Sequence, residues 1–420
     1  MTRSNILLTA LLAGIVAGVL VRLSGSSALQ ALALGLAPLG QLWIRALQMT
    51  LVPLIFAVVA GSVGSAARSG QGGRLLGYSA AAFLVLLLGA ITLAMTVLHG
   101  TLWLWPLPLH TLDGLPGAGP APAVPGTVDQ LLAIIPANPV AAAAAGQMFP
   151  LAIFALLFGV AMTRGGEGGH RTLVTMVDEL AATMMRIVEW VLMAAPVGIF
   201  VLALGIAQSA GLGLASLLAH LVVITIAYCL LGIGLCYAMV AVTGAYPLVR
   251  FARGIAGAQA MAAGTTSSLA STPAMLDAAL VRLRLPPDIA GLVIPLAVSV
   301  FRFGTTGLVA ISVLLAAHAA GIVPTFAQYA MLLVAFLLAG FGGAGLPGAA
   351  VIYAATAPGL QILGAPLAVI PLYIAVNGFT DLFLTTMNVT ADLTVTTLIA
   401  RFAARRQGHA IPDEAPVTLA

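Results

Sequence analysis

Eight apolar stretches dominate the chain, each about as long as a helix that crosses a lipid bilayer, at 5–23, 38–66, 75–99, 130–163, 178–208, 213–243, 288–318 and 365–400. A spanning helix needs about 20 mostly apolar residues. The composition agrees, since 61% of the residues are hydrophobic and 7% are charged, whereas a soluble domain has about 25% charged residues. We therefore predict an all-α polytopic membrane protein with eight transmembrane helices.

Two further apolar stretches, 252–281 and 325–357, are interrupted by small residues and proline. The first contains "AGTTSSLASTPAMLD" and the second "AGFGGAGLPGAAVI". Irregular backbone at membrane depth is tolerated only where it is buried in protein or lines a cavity. A pair of such segments in corresponding positions indicates a binding site between inverted repeats. We predict two re-entrant helical hairpins, the first entering from the cytoplasm and the second from outside.

The basic residues predict the orientation. They are all Arg, and those between the predicted spans lie on one side, at Arg68, Arg74, Arg164, Arg171, Arg250, Arg253, Arg282, Arg284, Arg401, Arg405 and Arg406. By the positive-inside rule this side is cytoplasmic, so both termini are expected in the cytoplasm of a cell with a bacterial-type inner membrane. The net charge of +4 follows from this topology, and we expect no nucleic-acid partner.

Charged residues inside two spans point to a site. Arg302 lies in "VSVFRFGTTGLVA", although a charge at the centre of a spanning helix costs at least about 2.5–3.5 kcal/mol. In the last span Asp381, Thr385, Asn388 and Asp392 are spaced by four, three and four residues, so they form one stripe on a helix. Ionisable residues in such places usually face a substrate or ion pathway.

These residues also carry a family resemblance. "NVTADLTVTTLIAR" resembles the last helix of the glutamate transporter (dicarboxylate/amino acid:cation symporter) family, whose core pattern is Asn-Val-Thr-Gly-Asp. Similar motifs occur in order along the chain: "QMTLVPLIFA", "IIPANPVAAAAAGQMFPLAIFALLFGVAM", "APVGIF", "TTSSLASTP" and "GGAGLPGA". The resemblance implies an elevator fold, a homotrimer within membrane lipid, a static scaffold and a mobile transport domain.

The implied organisation divides the chain into nine parts. They are scaffold helices one and two at 1–74, helix three with a Pro-rich loop at 75–129, scaffold helices four and five at 130–210, helix six at 211–250, hairpin one at 251–286, helix seven at 287–320, hairpin two at 321–360, helix eight at 361–406 and a cytoplasmic tail at 407–420. The transport domain would consist of both hairpins with helices three, six, seven and eight.

The resemblance also implies functional residues. The serines of the first hairpin tip would receive a substrate carboxylate, the second tip would form a gate, and Asp381 would pair with a substrate ammonium. The substrate-binding set is Ser267, Ser268, Arg302, Thr305, Gly345, Leu346, Pro347, Gly348, Asp381, Leu384, Thr385 and Asn388. The set for the coupling ion or proton is Arg302, Asp381, Asn388 and Asp392, the last of which matches a sodium ligand of the family.

One departure from the family pattern concerns the substrate. Acidic-substrate members carry an Arg where this chain has Leu384, and a Leu cannot pair with an anion. Because Asp381 is retained to bind an amine, we predict import of a small neutral amino acid. The alternative is an acidic amino acid or a C4-dicarboxylate whose second carboxylate binds Arg302, since a guanidinium fork suits that geometry.

A second departure concerns the coupling ion. The family's Asn-Met-Asp-Gly is replaced by Phe301, Arg302, Phe303 and Gly304, and an acid one turn before Asp381 is Asn377. Hard cations prefer oxygen ligands, which phenyl rings lack. We predict that Arg302 substitutes for a bound metal ion and that one proton, on either acid, couples transport. The alternatives are sodium at Asp392 and Asn388, or an uncoupled facilitator. No metal, other cofactor or enzymatic activity is expected.

Overall fold

The computed structural model describes residues 3–68, 73–112, 135–145, 147–163, 170–210, 212–341 and 348–407. Every regular element in these ranges is helical. The first seven helices are α1 (Arg3–Ser24), α2 (Ser27–Arg68), α3 (Gly73–Leu104), α4 (Pro139–Ala144), α5 (Met148–Thr163), α6 (His170–Met193) and α7 (Ala195–Ala210). The remaining helices are α8 (Leu212–Thr243), α9 (Leu248–Thr265), α10 (Thr272–Asp277), α11 (Pro287–Val300), α12 (Phe303–Ala319), α13 (Phe326–Phe341), α14 (Gly348–Leu363) and α15 (Ile370–Gln407).

Four helical segments in the described ranges are long and apolar enough to cross a membrane on their own: Gly77–Leu104, Ala215–Thr243, Pro287–Ala319 and Leu367–Ala404. Six shorter apolar helices of 10–17 residues accompany them. This confirms an all-helical protein with several apolar helices. The predicted number of eight spans remains a prediction, because length and composition single out only these four.

Three predicted spans are each divided into two helices, and in the described residues of the span at 130–163 these are α4 and α5. The span at 178–208 is interrupted at Ala194, so that α6 ends at Met193 and α7 begins at Ala195. Pro196 explains the interruption, because proline removes a helical hydrogen bond and restricts the residue before it. The span at 288–318 is broken at Phe301 and Arg302, between α11 and α12. Pro295 lies inside α11, and the backbone leaves the helical conformation six residues later.

Each interrupted stretch forms two helical arms that pack against each other. In the first, α9 ends at Thr265 and α10 begins at Thr272, and Thr266 caps α9 in the left-handed conformation with φ +47°. In the second, α13 and α14 are the arms. The predicted gate residues Gly345, Leu346 and Pro347 lie outside the described residues, and Gly348 is the first residue of α14.

The helices with the charged residues occupy the centre of the fold. Nearly every side chain of α12 is buried, and α15 contacts α8, α9, α11, α12 and α14. A helix that is apolar on all sides is buried in a protein core or in a membrane, and the neighbours of α12 show that it lies in the core. By contrast, α3 and α8 expose large side chains such as Val85 and Leu230, as expected for helices with a lipid-facing side. A smaller apolar cluster is formed separately by α2, α5 and α6.

The segment after α3 is attached to this centre by two histidines. Nε2 of His220 lies 3.0 Å from the carbonyl oxygen of Trp105, whose ring stacks on the imidazole. Nε2 of His318 lies 3.1 Å from the carbonyl oxygen of Leu107. Both histidines therefore contact backbone, and their role in this part of the fold is packing.

Candidate functional site

The break between α11 and α12 is the structural basis of the candidate site. Phe301 has extended backbone with φ −121°, and Arg302 is also outside the helical conformation, with φ −111° and ψ 73°. The N–H of Arg302 donates to the carbonyl of Gly340 on α13 over 3.2 Å. A Cβ atom on Gly340 would clash with Oγ1 of Thr306. Helix α13 can therefore approach the break only because residue 340 has no side chain.

Two other helices satisfy backbone groups at the same break. The hydroxyl of Tyr228 on α8 donates to the carbonyl of Phe303 over 2.9 Å. The N–H of Gly304 donates to Oδ1 of Asn388 on α15 over 2.7 Å. Buried backbone groups must be paired with protein or water. Three helices thus hold the irregular segment, and Asn388, a predicted substrate and ion contact, uses its Oδ1 for this purpose.

Arg302 brings the break and the stripe on α15 together electrostatically. Its side chain is partly buried, and Nε lies 3.4 Å from Oγ1 of Thr305. The guanidinium charge interacts with the carboxylates of both Asp381 and Asp392. Sequence spacing had placed the two acids on one face of a helix, and the fold places that face towards Arg302. The site therefore contains one Arg whose charge lies within electrostatic range of two acids.

The two acids have different surroundings. Asp381 is partly buried, whereas Asp392 is 1% exposed and neither of its carboxylate oxygens has a hydrogen-bond partner among the described residues. Burying an ionised carboxylate without hydrogen bonds is costly, so such a group is normally neutralised by a proton or a bound cation. Asp392 therefore has the properties of a group that takes up a positive charge.

Phenyl rings stand at two positions near α15 where the family resemblance implies sodium ligands. Phe301 stacks on Phe83 of α3 with ring centroids 4.8 Å apart, and Phe303 lies 6.1 Å from Phe301. All three rings are buried. Among the described residues, no group of three or more His, Cys, Asp or Glu side chains is placed to bind a metal ion. Main-chain and hydroxyl oxygens remain as possible ligands.

The remaining predicted residues lie in two places. Leu384 and Thr385 are 3% and 4% exposed on α15, and Leu384 packs next to Gly304. Ser267 and Ser268 lie in the link between α9 and α10, and their described hydrogen bonds stay within that hairpin. Helix α9 contacts α15, so hairpin one adjoins the stripe, but no described bond joins its serines to Arg302 or Asp381.

The sequence reasoning left two polar residues of α15 out of the site, although it noted one of them, Asn377, as a departure from the family pattern. Asn377 and Tyr373 precede Asp381 at intervals of four residues, and both are buried, so the polar face of α15 is longer than predicted. That spacing was visible in the sequence. The role of Tyr228 was not, because the contact joins residues 75 positions apart and no local pattern marks it.

A bundle of apolar helices, with charged residues at a broken helix in its centre, is typical of polytopic membrane transporters. The sequence profile of the sodium:dicarboxylate symporter family matches residues 5–402, and the chain belongs to this family.

Its relatives include a C4-dicarboxylate transport protein of Rhodopseudomonas palustris, 31% identical over 316 residues, which are 71% of this chain and 67% of the relative. A protein of Burkholderia ambifaria with the same description is 30% identical over 352 residues, 81% of this chain and 78% of the relative.

Proposed function

We propose that the protein is a secondary transporter that imports a small carboxylate and that Arg302 binds a carboxylate group of the substrate. The observation that carries this proposal is the position of Arg302, partly buried at the break before α12 and interacting with both acids of α15. An Arg at membrane depth is retained for a function. Its planar fork can bind a carboxylate through two parallel hydrogen bonds.

Leu384 supports the same assignment. The family resemblance implies an Arg at this position in members that carry acidic substrates, and here a buried Leu packs beside Gly304. Arg302 supplies a guanidinium on the facing helix instead. The relatives are described as C4-dicarboxylate transport proteins, which favours a dicarboxylate over the neutral amino acid predicted from the sequence.

The charges of the site then set a requirement on coupling. With both acids ionised, Asp381, Asp392 and Arg302 sum to one negative charge, and a dicarboxylate dianion would bring two more. An ionised Asp381 would repel such a substrate. We propose that protons neutralise the acids during import, with Asp392 the first of them, because its oxygens lack hydrogen-bond donors.

The competing proposal is that a sodium ion, rather than protons, neutralises the negative charge of the site. The family description names sodium, and Asp392 with nearby main-chain oxygens is the candidate site. Two observations favour a proton. Oδ1 of Asn388 already accepts a hydrogen bond from Gly304, and the positions of other implied ligands are occupied by Phe301 and Phe303 in an apolar cluster with Phe83.

A neutral amino acid is the second candidate substrate. It is favoured by Asp381, whose carboxylate can pair with an ammonium, and by the apolar Leu384. We propose the elevator mechanism, the homotrimer, the scaffold and transport domains, and cytoplasmic termini in an inner membrane on the basis of the resemblance alone.

Uptake into proteoliposomes tests these proposals. Labelled succinate, aspartate, glutamate, alanine and serine are each offered with an inward proton gradient, an inward sodium gradient or neither. Accumulation of succinate driven by protons and unaffected by sodium is the expected result. The Arg302→Met variant, assayed alongside, is expected to lose succinate uptake.

Each of the other possible results would support a different proposal. Accumulation of alanine or serine but not succinate would overturn the assignment of Arg302 as a carboxylate partner. Strict dependence on sodium would show that Asp392 still helps to bind a metal ion. Equilibration without accumulation under either gradient would identify a facilitator, in which Arg302 and the two acids keep the same charges throughout.

A further inference from the structure

A second group of buried polar side chains surrounds a cavity away from Arg302. Nine residues line it, and we call it the hydroxyl pocket: Leu221 and Thr225 on α8, Leu308 and Ser312 on α12, Ile352 on α14, and Tyr373, Val376, Asn377 and Thr380 on α15. Its volume has room for about one water molecule. Three of its four helices, α8, α12 and α15, also contribute to the charged site.

Four polar atoms of the pocket are buried without a hydrogen-bond partner among the described residues. They are Oγ1 of Thr225, Oγ of Ser312, the hydroxyl of Tyr373 and Oδ1 of Asn377. Their side chains are between 0% and 7% exposed. Buried polar groups in folded proteins nearly always have a partner, and an exception calls for an explanation such as a bound water or ion. Because the four unpartnered atoms surround one cavity, a single ligand in that cavity explains all four of them.

We propose that the hydroxyl pocket is a binding site for one water molecule, which joins α8, α12 and α15 by hydrogen bonds. A buried water typically makes about three hydrogen bonds, within a range of two to four, so one water matches the unpartnered groups. Three of these groups are hydroxyls, which both donate and accept, and the amide oxygen accepts. Water can serve both kinds of group at once.

Charge argues for water over a cation in this pocket. Its lining contains no Asp, Glu, Arg or His, so a cation would have only neutral ligands. The nearest acid along α15 is Asp381, which lies one helical turn from Asn377 and outside the lining. A desolvated charge without an opposing charge is costly. A neutral ligand that hydrogen-bonds avoids this cost.

Thermal unfolding of the purified full-length protein distinguishes a hydrated pocket from a dry one. Thr225→Val and Ser312→Ala each remove one hydroxyl with little change of shape. If the hydroxyls bind water, each substitution lowers the melting temperature by about 2 °C or more. If they are unpaired in a dry pocket, replacing them by apolar groups leaves the melting temperature unchanged or raises it.

The double variant and a matched control sharpen the test. Two hydroxyls that share one water are coupled, so the double variant is expected to lose less than the sum of the single losses. Thr356→Val is the control, because Thr356 is 1% exposed and its Oγ1 lacks a described partner, but it does not line the pocket. Losses that match the control, or that add independently, would overturn the shared water.

Two further measurements keep the proposal testable if a variant fails to fold. A density map of the wild-type protein that resolves ordered waters must contain one peak within hydrogen-bond distance of both Thr225 and Ser312, and its absence would overturn the proposal. Melting in sodium chloride and in choline chloride at equal ionic strength tests for an ion. Stabilisation specific to sodium that disappears in Thr225→Val would identify a sodium site in place of a water.

Discussion

The side-chain oxygen of Asn388 accepts a hydrogen bond of 2.7 Å from the backbone N–H of Gly304. This bond crosses from α15 to the first turn of α12, where the helix has just restarted after the break and its N–H groups lack intrahelical partners. The residue that looks like a ligand in the sequence is thus also a support for the irregular backbone that presents Arg302.

Replacement of Asn388 is therefore expected to affect stability as well as transport. Asn388→Ala leaves the buried N–H of Gly304 without its acceptor, at a cost of about 1–3 kcal/mol. Asn388→Asp keeps an oxygen at the same place but buries another carboxyl near Asp392, so it should retain most of the stability only at a pH low enough to protonate that carboxyl. Thermal unfolding of both purified variants measures the difference. Equal melting temperatures for Asn388→Ala and the wild type would mean that this bond contributes nothing.

Gly307 is expected to tolerate no side chain. A Cβ atom there would clash with the ring and hydroxyl of Tyr228, so Gly307→Ala should displace the hydroxyl that donates to the carbonyl of Phe303. Overpacking of this kind costs about 1–3 kcal/mol, and uptake should fall with the melting temperature. Gly234→Ala is the control on α8, since nothing lies within 4 Å of its added Cβ. Similar losses in both variants would contradict the steric argument.

The geometry of Arg302 should matter as well as its charge. Arg302→Lys keeps a positive charge near Asp381 and Asp392 but loses the fork that binds a carboxylate through two hydrogen bonds. We expect a tenfold or larger increase of KM for the transported carboxylate, about 1.4 kcal/mol or more, with a smaller change in maximal rate. Initial rates of uptake over a range of substrate concentrations provide both values. An unchanged KM would indicate that Arg302 acts only as a fixed charge.

Neutralising Asp392 should separate accumulation from exchange. Asp392→Asn has nearly the same shape but cannot take up a proton, and it removes a carboxylate that has no described hydrogen-bond donor. We expect the variant to fold, to lose accumulation driven by a proton gradient, and to retain exchange of internal for external substrate. Proton-driven accumulation at the wild-type level would exclude Asp392 as the coupling group. Asp381→Asn is the comparison, because it should impair substrate binding itself.

Local patterns in the sequence predicted much of the architecture. Apolar length indicated helices that cross a membrane, and glycine, serine and proline within such stretches marked the two pairs of packed arms. Asp381, Thr385, Asn388 and Asp392 were placed on one helix face by spacing alone. The break beside Arg302 was not predicted, although Pro295 lies six residues before it, because many helices accommodate a proline without ending.

The chain's sequence by itself determined that the protein is helical and apolar, that it belongs to the family its motifs resemble, and that Arg302, Asp381 and Asp392 lie within two of its predicted spans. The tertiary structure alone decided which groups hold the broken helix, because Tyr228 and Asn388 reach it from 75 and 84 residues away. It also decided that one Arg interacts with both acids and that four unpaired polar atoms share a pocket. Periodicity reports only which face of one helix a residue occupies, whereas pairing depends on how separate helices pack.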